Sequence, residues 1–216
     1  MYTIPEPLQT TTTNDWAFID ELRSEFHRKP HWTRYEPRPD EVDIREGVIL
    51  FKAFPDPEFL LETAWHDLER FMGDIKVLII NVETYTGNKK LTTIEAIKED
   101  QGCHEGYCIE IKKSQITIKA GDIEGIRRGI YYLEDLILKA DGPFLKSANI
   151  KRSPWIENRI TRCFFGPIKR PPFNRDELMD EIDYYPDEYL NRLAHEGINI
   201  LWLTVEFRDI VKTDLV

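Results

Sequence analysis

Two charged residues close to the C-terminus, one within a strand-like run and one directly after another, are the positions best placed for chemistry. Arg162 lies in the strand-like run 160–165, and Glu206 follows directly on the apolar run 197–205. Side chains at the C-terminal ends of parallel strands are where substrates bind in barrels and open α/β sheets. Both residues are therefore candidate substrate contacts. The other reading of each is an ion pair at the sheet mouth or a solvated loop charge.

Other chemistry-bearing groupings resolve into structural roles. His195-Glu196 invites a zinc-protease reading, but the second histidine would fall at position 199, which is Asn199. His195-Glu-Gly197 instead reads as a helix end with its glycine cap. Cys103 and Cys108 flank His104 and Glu105, yet no second half of a zinc site follows, and a half-buried strand cysteine is the better reading of Cys108. Gly125 and Gly129 match no phosphate-binding fingerprint and read as helix–sheet contact points. The acid pairs Glu105/Glu110 and Asp176/Glu177 read as surface charges. There is no nucleophile elbow and no P-loop. The sequence thus offers no catalytic set, no cofactor site and no metal site.

Composition narrows the class of partner. The 41% apolar and 31% charged residues suit a globular domain. The net charge of −10 argues against nucleic acid, which needs clustered Lys and Arg. Lys151-Arg152 and Lys169-Arg170 are too short to reverse that. No apolar run approaches the roughly 20 residues of a membrane helix. The start lacks the basic and apolar regions of a secretory signal, which reads as cytoplasmic, although a chain whose signal had been removed would begin the same way. Three cysteines make no disulfide framework.

The elements that would position Arg162 and Glu206 come in two blocks, after a polar arm over residues 1–45 that includes a short helix at 15–27. In the first block, 48–54 reads as a strand. Asp56-Pro57 reads as a cap with proline at the first helical position, starting a helix through Gly73 with Leu60, Ala64, Leu68 and Phe71 on one face. A second strand covers 76–82, and Ile94–Ile97 reads as one helical turn in a polar stretch. Tyr107, Ile109 and Ile111, then Ile116 and Ile118, give period-two patterning on the two arms of a hairpin turning at Lys113-Ser114. Asp122 caps a helix with Ile123, Ile126, Ile130, Leu133 and Ile137 at three-and-four spacing. The block from Val48 to about Ile150 is thus a small α/β sandwich of order β-α-β-β-α-β, with about a hundred residues to build a core. The second block is a β-α-β: a strand at 158–165, a helix at 185–195 and a strand at 197–205. A strand so apolar belongs in a parallel sheet covered on both faces. This block therefore reads as the opening of a larger domain.

The order of pieces resembles a known family. Glu105-Gly-Tyr-Cys-Ile-Glu-Ile111, Gln115-Ile-Thr-Ile-Lys-Ala120 and Gly125-Ile-Arg-Arg-Gly-Ile-Tyr-Tyr-Leu133 are similar to the N-terminal α/β domain of family 20 glycoside hydrolases, the β-N-acetylhexosaminidases. That domain type also precedes barrels in other glycoside hydrolases, including α-glucuronidases. Arg162-Cys-Phe-Phe165 is similar to the Arg-His-Phe-Phe closing the family's first barrel strand. Tyr189-Leu-Asn-Arg-Leu-Ala-His-Glu-Gly-Ile-Asn-Ile-Leu-Trp202 looks like the first barrel helix and second strand. The resemblance runs from about residue 45 to 207.

It implies an accessory domain over residues 46–153 that buttresses a barrel, and the start of an incomplete (β/α)8 barrel over 154–216. It also implies a carbohydrate substrate for the intact parent, with Arg162 near sugar hydroxyls. The family's catalytic Asp-Glu pair follows the fourth barrel strand: the Glu is the general acid, and the Asp orients the substrate's own attacking acetamido group. No part of this chain reaches that strand, so the chain itself is expected to be inactive, with self-association through unpaired barrel strands as a further expectation. The departures are specific. The family's Asp is Arg159 here, its His- and Asp-rich second strand end is Leu203-Thr-Val-Glu206, and the loop over 166–182 is long. They imply a divergent relative acting on another glycoside. The competing reading is a non-catalytic carbohydrate-binding or protein-interaction module.

Overall fold

The computed structural model describes residues 17–24, 29–84, 91–162, 167–170, 173–176 and 183–203. They belong to two units, one within residues 27–155 and the other formed by residues before 27 and after 155. The helix α1 (Ala17–Leu22) lies in the latter, inside the stretch expected to be helical, with Ile19 buried.

The unit within 27–155 is a mixed α/β module. Its elements are β1 (Glu41–Asp43), β2 (Val48–Phe51), α2 (Glu62–Asp74), β3 (Ile79–Val82), β4 (Thr92–Lys98), β5 (Tyr107–Lys112), β6 (Gln115–Ala120), α3 (Ile123–Lys139), β7 (Phe144–Lys146) and β8 (Ala148–Arg152). Six strands form one sheet in the order β3-β2-β4-β6-β5-β8, and β1 pairs separately with β7. Around β2 and β4 the pairing is parallel, while β5 runs antiparallel to both β6 and β8.

The β5–β6 hairpin turns at Lys113-Ser114 as its alternation requires, with Lys112 opposite Gln115 and Ser114 at φ 64°. Alternation directs Tyr107, Ile109, Ile111, Ile116 and Ile118 to one face, all buried. The opposite face carries a cross-strand polar ladder. Gln115 donates to Glu95 at 2.9 Å, and Lys119 pairs with Glu110 at 3.0 Å and Glu99 at 3.0 Å.

Two local expectations are corrected. Residues 92–98 form β4, a strand between β2 and β6, not a polar stretch with a helical turn. Ile94 and Ile97 suggest a helical spacing. The residues that decide the outcome are the β-branched run Thr92-Thr-Ile94 and the alternation of buried Ile94 and Ala96 with part-exposed Glu95 and Ile97. The helix α2 begins at Glu62 rather than just after Asp56. The Asp56 carboxylate accepts from the Leu60 and Leu61 amides at 3.0 and 2.8 Å, closing a turn in which Phe59 adopts φ 57°. A residue in that conformation cannot continue a helix, so the start moves downstream.

The helix α3 turns one apolar face into the module's core. Ile126, Ile130, Leu133 and Ile137 are 0–1% exposed, each contributing roughly 1.5–3 kcal/mol over an exposed position. Asp122 caps the helix, with Oδ1 accepting from Gly125 N at 2.7 Å and Oδ2 from Glu105 N at 3.0 Å. Glu105 is no surface charge: it is 3% exposed and pairs with Arg128 at 3.2 Å. A Cβ at Gly125 would lie 2.6 Å from the Gly106 carbonyl oxygen and 2.7 Å from Ala120 Cβ, so glycine sets how close helix and sheet come.

The segment before β1 is held by charge. Arg34 donates to Glu41 at 2.6 Å and to Asp141 at 2.7 Å, with its guanidinium 4.8 Å from the Phe144 ring centroid. Hydrogen bonds from Arg34 hold both carboxyls below the usual carboxylate range, and Asp141 and Glu41 in turn hold the Arg34 guanidinium above its own.

Two outcomes are expected. Gly125→Ala gains up to about 1 kcal/mol of helix propensity but overpacks against a backbone carbonyl at a cost of about 1–3 kcal/mol, so the urea midpoint should fall. A midpoint equal to or above the parent's would contradict the close-contact account. The second outcome concerns pH. Carboxyls that titrate low when folded stabilise above their unfolded values and lose that contribution as pH falls through the folded ones. The midpoint difference between the parent and Arg34→Met should therefore be full above the unfolded carboxylate values, about pH 5, and shrink as pH falls through the lower folded ones. A difference independent of pH would assign the effect of Arg34 to packing alone.

Candidate functional site

The unit after residue 155 contributes β9 (Ile160–Arg162), β10 (Pro167–Arg170), β11 (Phe173–Asp176), α4 (Asp187–His195) and β12 (Ile200–Trp202). The long loop over 166–182 thus contains an antiparallel hairpin, β10 with β11. The strands β9 and β12 pair in parallel, with Ile160 opposite Ile200, Thr161 opposite Leu201 and Arg162 opposite Trp202.

Local chemistry fixes this arrangement. Pro186 precedes α4 with extended backbone, and Asp187 and Glu188 occupy the first turn, where the helix dipole favours acids. At the other end Gly197 takes φ 90°, with Gly197 N donating to Ala194 O at 3.1 Å and Ile198 N to Leu193 O at 3.0 Å. This is a Schellman closure. His195 is part of the same helix end, its Nδ1 paired with the Asn191 carbonyl oxygen at 2.9 Å.

Arg159 and Asn199 clamp the N-terminal ends of the two strands. Asn199 Oδ1 accepts from Arg159 N at 2.9 Å, and Asn199 Nδ2 donates to Glu157 O at 2.8 Å. The Arg159 guanidinium donates to the carbonyls of Gly197 and of Ile156, the latter at 2.7 Å. Arg159 therefore ties the starts of the two strands together.

The C-terminal ends that the clamp aligns carry Arg162 and Trp202. Arg162 is exposed, and its guanidinium lies 5.9 Å from the Trp202 ring centroid, at the outer range of cation–π attraction. Glu206, the other candidate, lies outside the described residues. Sequence reasoning passed over Trp202 as strand filling. The signal that could have found it is position: Arg162 and Trp202 each end a strand of one β-α-β unit, so parallel pairing makes them neighbours. The expected cover on both faces of the second strand is not supplied by the described residues. Ile200, Trp202 and Leu203 are 37%, 63% and 45% exposed, and Ile160 in β9 is 52% exposed.

Elsewhere, burial in β5 pushes the Cys108 thiol up, disfavouring the thiolate that a metal or a nucleophilic role requires. Among the described residues no three His, Cys, Asp or Glu side chains gather as metal ligands. No helix of the described residues is long and apolar enough to cross a membrane.

Comparison with known proteins gives fold neighbours only. No family model matches the sequence, and no curated protein does. Among solved structures, a β-N-acetylhexosaminidase from Bacteroides fragilis is similar at 13% identity and TM-score 0.52, over 77% of this chain and 30% of that one. A family 138 glycoside hydrolase described as targeting pectin rhamnogalacturonan II is similar at 15% identity and TM-score 0.53, over 74% and 19%. A mutant β-hexosaminidase of Streptomyces plicatus in complex with the product N-acetylglucosamine is similar at 17% identity and TM-score 0.50, over 76% and 31%. The chain shares a fold with about three quarters of its length matched in each, and spans less than a third of those chains.

The clamp yields a test. Asn199→Ala removes hydrogen bonds worth about 1–2 kcal/mol together, so amides in β12 should exchange roughly five- to thirty-fold faster, with β5 and β6 unchanged. Unaltered exchange in β12 would show that the apolar side chains, not the clamp, hold the pair.

Proposed function

We propose that this chain is the N-terminal part of a glycoside hydrolase acting on glycans and resembling β-N-acetylhexosaminidases. In this reading residues 46–153 are an accessory domain that supports the catalytic barrel. Residues 154–216 open that barrel with its first β-α-β. The carrying observation is the succession of a two-layer α/β module and a parallel β9–α4–β12 unit, in the order the resemblance gives. The fold neighbours support it, since the proteins similar over most of this chain are glycoside hydrolases. Arg162 and Glu206 face substrate in the intact parent, and the chemistry belongs to an acidic pair on a later strand. The exposed Ile160, Ile200 and Leu203 fit a parallel pair whose neighbouring strands complete its cover.

The purified 216-residue chain should not turn over 4-nitrophenyl N-acetyl-β-glucosaminide, whereas a product extended through the downstream coding sequence should release 4-nitrophenol from an aryl glycoside. Turnover by the chain alone would overturn its assignment as an inactive part. A coding sequence with no strand ending in adjacent acids after Val216 would overturn the hydrolase reading itself.

A further inference from the structure

We propose that Arg162 and Trp202 form one subsite for an acidic sugar, the pyranose ring stacking on the Trp202 indole and its carboxylate meeting the Arg162 guanidinium; this rests on the carbohydrate reading above. Two observations and one chemical match carry it. Parallel register makes the two residues direct neighbours at the C-terminal ends of β9 and β12, where ligands of parallel sheets bind. Trp202 is 63% exposed, an unusual state for a residue that is on average deeply buried. The apolar face of a pyranose, made of axial C–H bonds, matches the electron-rich indole face.

Charge selects the kind of sugar. The chain has 39 acidic residues against 29 Lys and Arg, and arginines such as Arg34, Arg45, Arg127 and Arg128 sit on carboxylates. Arg162 differs: among the described residues no carboxylate pairs with it, and its contact is the Trp202 ring. A cation–π contact uses none of a guanidinium's five N–H donors, so the fork remains open to a planar acceptor. A carboxylate satisfies that fork bidentately, which a neutral hydroxyl does not. The anion supplied by a uronic acid is the complement this pair lacks.

The test is a titration of the full chain with D-glucuronate, D-galacturonate, D-glucose and N-acetylglucosamine. It is followed in 1H–15N spectra by the Trp202 indole N–H, assigned by its loss in Trp202→Phe. The uronates should shift that resonance and bind at least about ten-fold more tightly than glucose, the worth of one charge-assisted contact. Added salt should narrow the gap. Arg162→Gln should erase the preference while leaving weak binding of both classes, and Trp202→Ala should weaken both. Trp202→Phe keeps a stacking face and should retain the preference, which guards against misfolding of the alanine variant. Equal or stronger binding of the neutral sugars would overturn the acidic subsite and leave the carbohydrate reading standing. So would a preference for uronates unaffected by Arg162→Gln, or a static Trp202 indole while sugar binds elsewhere. Failure of all four sugars to bind would overturn the subsite, while the hydrolase reading stands or falls on the activity of the extended product.

Discussion

The constraint from which the module's order follows is the closeness of α3 to the β5–β6 hairpin. Gly125 lets the first turn of the helix lie against the Gly106 carbonyl, where a side chain would collide. Ile126 and Ile130 on the same helix are fully buried, and Gly129 meets Ile118 and Tyr107 one turn further on. The close approach also lets one carboxylate, Asp122, bond both the helix start and the loop before β5. The buried Glu105–Arg128 pair closes the same junction from the other side. Loop, strand and helix thus share one set of contacts.

The parallel pair after residue 155 is built on a different principle. Its alignment comes from hydrogen bonds at one end, through Arg159 and Asn199, while its apolar side chains remain partly exposed. Backbone carbonyls and a side-chain amide fix register at the start of the two strands. The ends opposite the clamp therefore hold a defined spacing between Arg162 and Trp202.

Much of the first module was legible in the sequence because its signals are local. The alternation in Tyr107–Lys112 and Gln115–Ala120, and the three-and-four spacing with an Asp cap in Ile123–Lys139, are set by neighbours a few residues away. The strand β4 was not legible, because its state depends on β2 and β6 lying on either side of it. The start of α2 was misplaced for a subtler reason: an aspartate followed by proline can cap a helix or close a turn, and the positive φ at Phe59 chooses the turn. In the site, Arg162 stood out as a charge in an apolar run. Trp202 did not, since a tryptophan in such a run looks like core until the register places it beside an arginine.

The position of β4 also bears on how the sheet is assembled. The β5–β6 hairpin and α3 are contiguous in the chain and close through short loops, so their contacts cost little chain entropy to form. The central strand must instead bring together Val48, Thr92 and Ile116-bearing strands from distant stretches, and no tight turn can deliver a parallel neighbour. Such pairings form slowly relative to local ones. Contact order alone therefore predicts a sheet assembled in two stages, the β5–β6 hairpin with α3 first and the parallel strands around β4 after it.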